Sequence, residues 1–289
     1  MKNIKSILSI LSLYYLLGCG VGKMQKQGKV IPGNFDTELD FTTAKSIILI
    51  PGKINTSTKN FLFDTGADLS LVQRDSLIGK TGKWTGASKR KMELGTEVIQ
   101  SFQIKDVEFV DTYAVNGDLI GLKEQIPNFG GLIGQSIISK ANWLIDYPNK
   151  RIRITDKDLS DGSYHTVEIE RKNGNNPYTD ILIDGQKLRV VIDFGSSSEF
   201  NLPEDSKLAK LLIEKYKFKN NQRERYTLGG LQMIKERVGT VPLIKLGNME
   251  FKNVNATINS SSQPRIGIGF FKDCIIYIDN TNEDYKIKK

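Results

Sequence analysis

The chain is poor in the residues that many enzyme chemistries require. Among its 289 residues are one histidine, His165, and two cysteines, Cys19 and Cys274. A single histidine in an Asp-, Ser- and Gly-rich stretch supplies no Ser-His-Asp or Cys-His arrangement and no histidine-rich metal site. His165 is read as solvent-facing, and no cofactor or metal is expected. The two cysteines stand in unlike contexts, so no disulfide is expected between them. Cys274 belongs to the apolar run Cys274-Ile275-Ile276-Tyr277-Ile278 and is read as a small core hydrophobe. The N-terminal apolar stretch, Ile7 to Leu17, is shorter than the roughly 20 residues that a bilayer demands of a spanning helix. Nor is the positive charge gathered into a stripe. The clusters Lys89, Arg90, Lys91 and Lys217, Lys219, Arg223, Arg225 lack the aromatic interleaving that stacks bases. They are read as solvated surface, and no nucleic-acid partner is expected.

What is present begins with an address. Lys2 and Lys5 precede the apolar stretch, which ends in Leu16-Leu17-Gly18-Cys19; residues 1–18 have the shape of a signal peptide. That ending resembles the bacterial lipobox, which implies a mature chain starting at a lipid-bearing Cys19. Its location would be the cell envelope, on the periplasmic face or the cell surface. Cleavage near Gly20 to give an ordinary secreted chain is the alternative. Residues 19–37, polar and containing Gly and Lys, are expected to be a tether. Loss of Lys2 and Lys5 lowers the formal charge from +8 to +6. An apolar fraction of 39% with 26% charged residues is that of a folded domain, and the length leaves room for two cores.

An internal repeat organises the remainder. Phe61-Leu62-Phe63-Asp64-Thr65-Gly66-Ala67 matches Val190-Val191-Ile192-Asp193-Phe194-Gly195-Ser196. Each is an apolar strand that delivers an Asp into a glycine turn. Further on, Leu132-Ile133-Gly134 aligns with Arg265-Ile266-Gly267, without a gap, through Asp146 and Asp279. The expected organisation is a first lobe over 38–155, a connection over 156–165 and a second lobe over 166–289. Both lobes should be mainly β, with strands over Ser46 to Ile50, Phe102 to Phe109, Thr179 to Ile183, Val238 to Leu246 and Asn253 to Ile258. Hairpin turns are expected at Asp184-Gly185 and Leu246-Gly247-Asn248. A helix should begin near Pro203 and carry Leu208, Leu211, Leu212 and Tyr216 on one face, and a short one should cover Gln135 to Lys140. Leu228-Gly229-Gly230 is read as a hairpin tip over the site.

One Asp-Thr-Gly turn is ordinary surface structure. Two, in duplicated lobes that pack about a pseudo-twofold axis, would bring Asp64 and Asp193 together, where neighbouring carboxyls share one proton. The ionised member can take a proton from water while the protonated one polarises a carbonyl.

The paired Asp turns, each followed by an apolar-Gly element, resemble the aspartic peptidase superfamily over about residues 38–289. Their occurrence twice is similar to the two-lobed pepsin arrangement, and Ala67 after Asp-Thr-Gly is similar to retropepsins. The resemblance implies two β-barrel lobes with a few short helices and a catalytic cleft between them. It implies endopeptidase activity on a peptide or protein substrate by a monomer. It assigns Asp64 and Asp193 as catalytic, with Thr65, Gly66, Ala67, Gly195 and Ser196 shaping the turns and Gly134 and Gly267 crossing beneath them. Trp84, in Gly82-Lys83-Trp84-Thr85-Gly86-Ala87, is the flap candidate; it reads equally as a loop aromatic packed on its own lobe. Phe194 departs from the pattern, which has Thr or Ser there to bond across the lobes. Thr65 is expected to make that bond alone, and the Phe194 ring to turn into the second lobe. Ser196 is expected to donate to Asp193 where Ala67 has nothing to offer Asp64, making Asp193 the more readily ionised partner. Phe194 also keeps a second reading open: a weak or inactive lipoprotein of this fold that binds peptides.

Overall fold

The computed structural model describes residues 21–85, 91–172, 175–227, 230–261 and 263–289. The signal peptide and Cys19, Gly86-Ala87, Lys89 and Arg90, and Leu228-Gly229 lie outside the described residues.

Residues 21–26 are helical (α1). There follow β1 (Lys29–Ile31), β2 (Asp36–Asp40), β3 (Thr42–Ala44), β4 (Ile47–Ile54), β5 (Ser57–Phe63), β6 (Ser70–Gln73), β7 (Gly82–Thr85), β8 (Lys91–Ile104), β9 (Val107–Gly117), α2 (Ile120–Lys123), β10 (Phe129–Ile133), α3 (Gln135–Ile138), β11 (Asn142–Asp146) and β12 (Arg151–Thr155). The second half runs β13 (His165–Glu168), β14 (Glu170–Lys172), β15 (Asn176–Ile183), β16 (Gln186–Asp193), β17 (Phe200–Pro203), α4 (Lys207–Tyr216), β18 (Lys219–Thr227), β19 (Gly230–Leu246), β20 (Met249–Asn259), β21 (Arg265–Gly267), β22 (Ile275–Asp279) and β23 (Asp284–Lys288). The protein is mainly β, with several sheets in two lobes.

The two lobes share one strand order. In the first, the path β9-β6-β10-β5-β4-β8 closes because β8 also pairs with β9. In the second, β20-β17-β21-β16-β15-β19 closes because β19 also pairs with β20. Closure removes the unpaired edges that invite aggregation. In each ring one of the two parallel pairs, β5 with β10 and β16 with β21, sets an Asp-bearing strand beside an apolar-Gly strand.

A third sheet, β13-β23-β22-β11-β12-β2, draws three strands from each half. At its centre Leu144 pairs with Tyr277, and these are equivalent residues in the repeat, both lying ten beyond the glycines Gly134 and Gly267. The pseudo-twofold axis therefore passes through this pair. Symmetry extends to the turns that follow. The backbone N–H and side-chain amide of Asn149 donate to Asp146 at 3.1 and 2.9 Å, and those of Asn282 donate to Asp279 at 3.0 and 2.8 Å.

Several local expectations change. Phe102 to Phe109 is not one strand but the hairpin of β8 and β9, turning at Lys105-Asp106, where Lys105 has φ +52°. Apolar residues on both sides of the turn hid it. The helix expected near Pro203 starts at Lys207, capped by the Ser206 hydroxyl, which accepts from Ala209 N at 3.1 Å; Pro203 ends β17 instead. Leu208, Ala209 and Leu212 are buried, whereas Leu211 is 49% exposed, one position off the inner stripe. Asp184-Gly185 and Gly247-Asn248 turn as expected, with positive φ at Asp184, Gly185 and Gly247. Much of the expected tether is folded onto the first lobe: β1 pairs with β9, Gln25 is buried, and its amide donates to Asp68 O at 2.7 Å.

Candidate functional site

Each strand of the parallel pairs ends where the polar chemistry begins. Burial of Phe61 and Phe63 on β5 and of Val190, Val191 and Ile192 on β16 fixes the register and so the exit point of Asp64 and Asp193. The loops after them are pinned from below. Gln135 N donates to Ala67 O, and Ile268 N to Ser196 O, both at 2.9 Å. A side chain on Gly134 would run into the carbonyls of Leu69 and Ala67, and one on Gly267 into those of Ser198 and Ser196. Only glycine permits that approach.

The two turns face one another. A Cβ on Gly66 would lie 2.8 Å from Asp193 Cγ, and one on Gly195 would collide with the Asp64 carboxyl. Each glycine thus makes room for the other lobe's carboxylate. Thr65 spans the junction: its Oγ1 donates to Ile192 O at 2.7 Å and accepts from Phe194 N at 3.0 Å. Gln135 Nε2 holds Thr65 O at 2.7 Å. Asn176 Nδ2 adds a further bond from the second lobe to Asp68 Oδ1 at 2.9 Å.

The second turn departs from the first. Phe194 is fully buried, its ring against Phe271 and Tyr285 at centroid distances of 5.7 and 6.4 Å. It sits in its own lobe, as expected. Ser196 does not do what the sequence suggested. Its hydroxyl pairs with that of Ser198 at 2.8 Å, because the turn brings the two serines together. Asp193 is instead held by Arg265, whose Nη1 donates to Oδ2 at 2.6 Å. Both residues are buried, at 4% and 7% exposure.

Asp64 has a different environment. Gly66 N donates to its Oδ1 at 2.9 Å, yet its carboxyl is pushed up to about 8, first by burial and then by the charge of Asp193 beside it. Arg265 pulls it down only weakly. Arg225, on β18, is nearby; burial and then the like charge of Arg265 lower its pKa, so it does not belong with the solvated surface charges expected from sequence. The strands carrying it, β18 and β19, reach across to α2 of the first lobe. The first-lobe counterpart, β7 with β8, carries Trp84, which packs on the first-lobe cluster around Leu69 and Leu94.

Arg265 is the functional residue that sequence reading missed, although the signal was there. In the repeat alignment it replaces Leu132, which is buried in the first-lobe core. A charged residue at a buried apolar position demands a partner, and Asp193 is in reach. A cavity of about 480 Å³ lies elsewhere, lined by residues of α4 and the β18–β19 hairpin that include Lys210, Asn220 and Glu236. Its two acidic lining residues, Glu204 and Glu236, are not equivalent in the repeat, and Glu236 is paired with Arg223 at 2.8 Å, so the Asp pair remains the better candidate. Among the described residues no group of three or more His, Cys, Asp or Glu is placed to hold a metal ion, and no helix is long and apolar enough to cross a membrane.

Comparison with protein families and with curated proteins returned no match.

Proposed function

We propose that this protein is an aspartic endopeptidase of the two-lobed pepsin/retropepsin type, with Asp64 and Asp193 as its catalytic pair across a cleft between the lobes. The observation that carries the reading is the meeting of two repeat-related Asp turns, each with a glycine that clears space for the opposite carboxyl.

In this reading Asp193 is the base and Asp64 the acid. Asp193 takes a proton from water as the oxygen adds to the scissile carbonyl carbon, and Asp64 gives its proton to the carbonyl oxygen. In the second step Asp193 passes its proton to the amide nitrogen and the C–N bond breaks. Asp64 then recovers a proton from the collapsing diol. No covalent intermediate forms, and no cofactor is needed.

The test is cleavage of a mixed peptide library by the purified protein across pH 3 to 8, with and without pepstatin. Pepstatin-sensitive cleavage is expected; a protein that neither cleaves nor binds pepstatin would remove the proposal. The second reading, a peptide-binding lipoprotein, is favoured by the guanidinium already seated on Asp193. Pepstatin binding without cleavage would select it. Both readings place the chain on the outer side of a bacterial membrane through lipid on Cys19, so Cys19→Ser should move it from the membrane fraction to the aqueous one. Unchanged partitioning would reject the anchor.

A further inference from the structure

We infer that Arg265 is a positioning residue that decides which half of the Asp pair carries the charge, holding Asp193 ionised and leaving the shared proton on Asp64. The inference rests on the peptidase reading for its catalytic meaning, but its physical basis is independent of turnover.

The geometry is one-sided. Arg265 Nη1 lies 2.6 Å from Asp193 Oδ2, and both side chains are withdrawn from solvent. An opposite charge at that distance favours the ionised carboxylate, and low local polarity strengthens the preference. Guanidinium does not give up its proton in proteins, so the bias cannot titrate away. Among the described residues no equivalent cation is paired with Asp64, and Leu132 occupies the place of Arg265 in the first lobe. The charged groups near the pair are few. Asp64 lies on the β5–β6 turn, Arg265 on β21, and Arg225 on β18 with Glu236 of β19 behind it. Both cations favour the singly charged pair.

Two symmetric carboxyls leave the proton free to sit on either side, and acid converts both to the neutral form. Here acid must first neutralise a carboxylate bound to a buried guanidinium, so the working one-proton state should persist further into acid. At the upper end, burial and the neighbouring Asp193 charge raise the proton affinity of Asp64, so the one-proton state should also extend above the ordinary carboxylate range.

The test uses the full chain in detergent and has two arms. In the first, kcat/KM is followed against pH for wild type, Arg265→Met and Arg265→Lys. The Met variant should show its acidic limb displaced upward by about one pH unit or more, while Lys, which keeps the charge, should restore it. An unmoved acidic limb in an active Met variant would overturn the inference. In the second, ¹³C-carboxyl aspartate signals of the wild type are titrated, with Asp64→Asn and Asp193→Asn giving the assignment. Asp193 should remain ionised through the range in which Asp64 is protonated; the opposite order, or a proton shared equally, would overturn the inference even if Arg265→Met fails to fold. Absence of cleavage would sink the peptidase reading alone, since the carboxyl titration needs no substrate.

Discussion

The turn at Asp64 and the turn at Asp193 have the same backbone and opposite chemistry. The first sends Thr65 across to the other lobe and leaves its carboxyl with a single backbone donor, Gly66 N. The second sends Phe194 back into its own core and gives its carboxyl a buried guanidinium. The first turn bonds across the junction through Thr65, whereas the second pairs its carboxyl with a buried cation from its own lobe. Duplication thus preserved the features that need symmetry, the parallel strand pairs and the facing glycines, while single substitutions divided the remaining roles. Phe194 in place of a hydroxyl residue and Arg265 in place of an apolar one are the two substitutions that matter most.

Replacing either carboxyl should break the comparison most severely. On the proposed peptidase reading, Asp64→Asn and Asp193→Asn should each lower kcat by roughly 10³-fold or more, since proton transfer in both directions then needs both groups. Their stabilities should move oppositely. Asp193→Asn strands the Arg265 charge, at a cost of about 3–5 kcal/mol. Asp64 is a carboxyl raised on folding, so its contribution is fully present below its unfolded value of 3.8 and is lost as pH climbs to about 8. The wild type should therefore weaken between pH 4 and 8 and the Asp64→Asn variant should not. The difference between the two proteins should therefore shift in the variant's favour as pH rises. Urea melts along the pH series check this; parallel curves for the two proteins would contradict it.

Restoring the symmetric pattern should fail. Phe194→Ser puts a hydroxyl where the aspartic peptidase pattern has one, but it removes a fully buried ring packed on Phe271 and Tyr285. The expected loss is about 3–5 kcal/mol, far more than one hydrogen bond returns. A variant as stable as wild type would show that the second lobe can close around the gap. Thr65→Val is the smaller counterpart. It leaves Ile192 O and Phe194 N without their shared partner and should cost about 1–3 kcal/mol, with Thr65→Ser recovering most of it.

The division between legible and hidden follows the length scale of the cause. The repeat and its two Asp turns were readable because apolar runs and glycines recur at matched spacing, and the third sheet pairs those equivalent segments. The Lys105-Asp106 turn was hidden because Phe102, Ile104, Val107 and Phe109 are all buried and give no polar break. The α4 start was displaced because Pro203 suits a strand end as well as a first helical turn. Arg265 was readable only by asking what a buried charge pairs with.

Ser196→Ala should have the smallest effect, and it sharpens the comparison because sequence alone assigns it a large one. By position, Ser196 is the residue that would donate to Asp193 and lower its proton affinity, with Ala67 as the silent counterpart. In the structure its hydroxyl is committed to Ser198 at 2.8 Å, and the Asp193 carboxylate is already satisfied by a charged donor at 2.6 Å. A charge-assisted bond is roughly twice as strong as a neutral one, so the hydroxyl would add little even if it turned. Ser196 is half-buried, and loss of one exchange between two hydroxyls should cost under about 1 kcal/mol. The acidic limb of the pH-rate profile should stay where it is in Ser196→Ala and move in Arg265→Met. If instead the serine variant moves the limb and the arginine variant does not, the asymmetry between the turns would come from the turn itself and not from the strand beneath it.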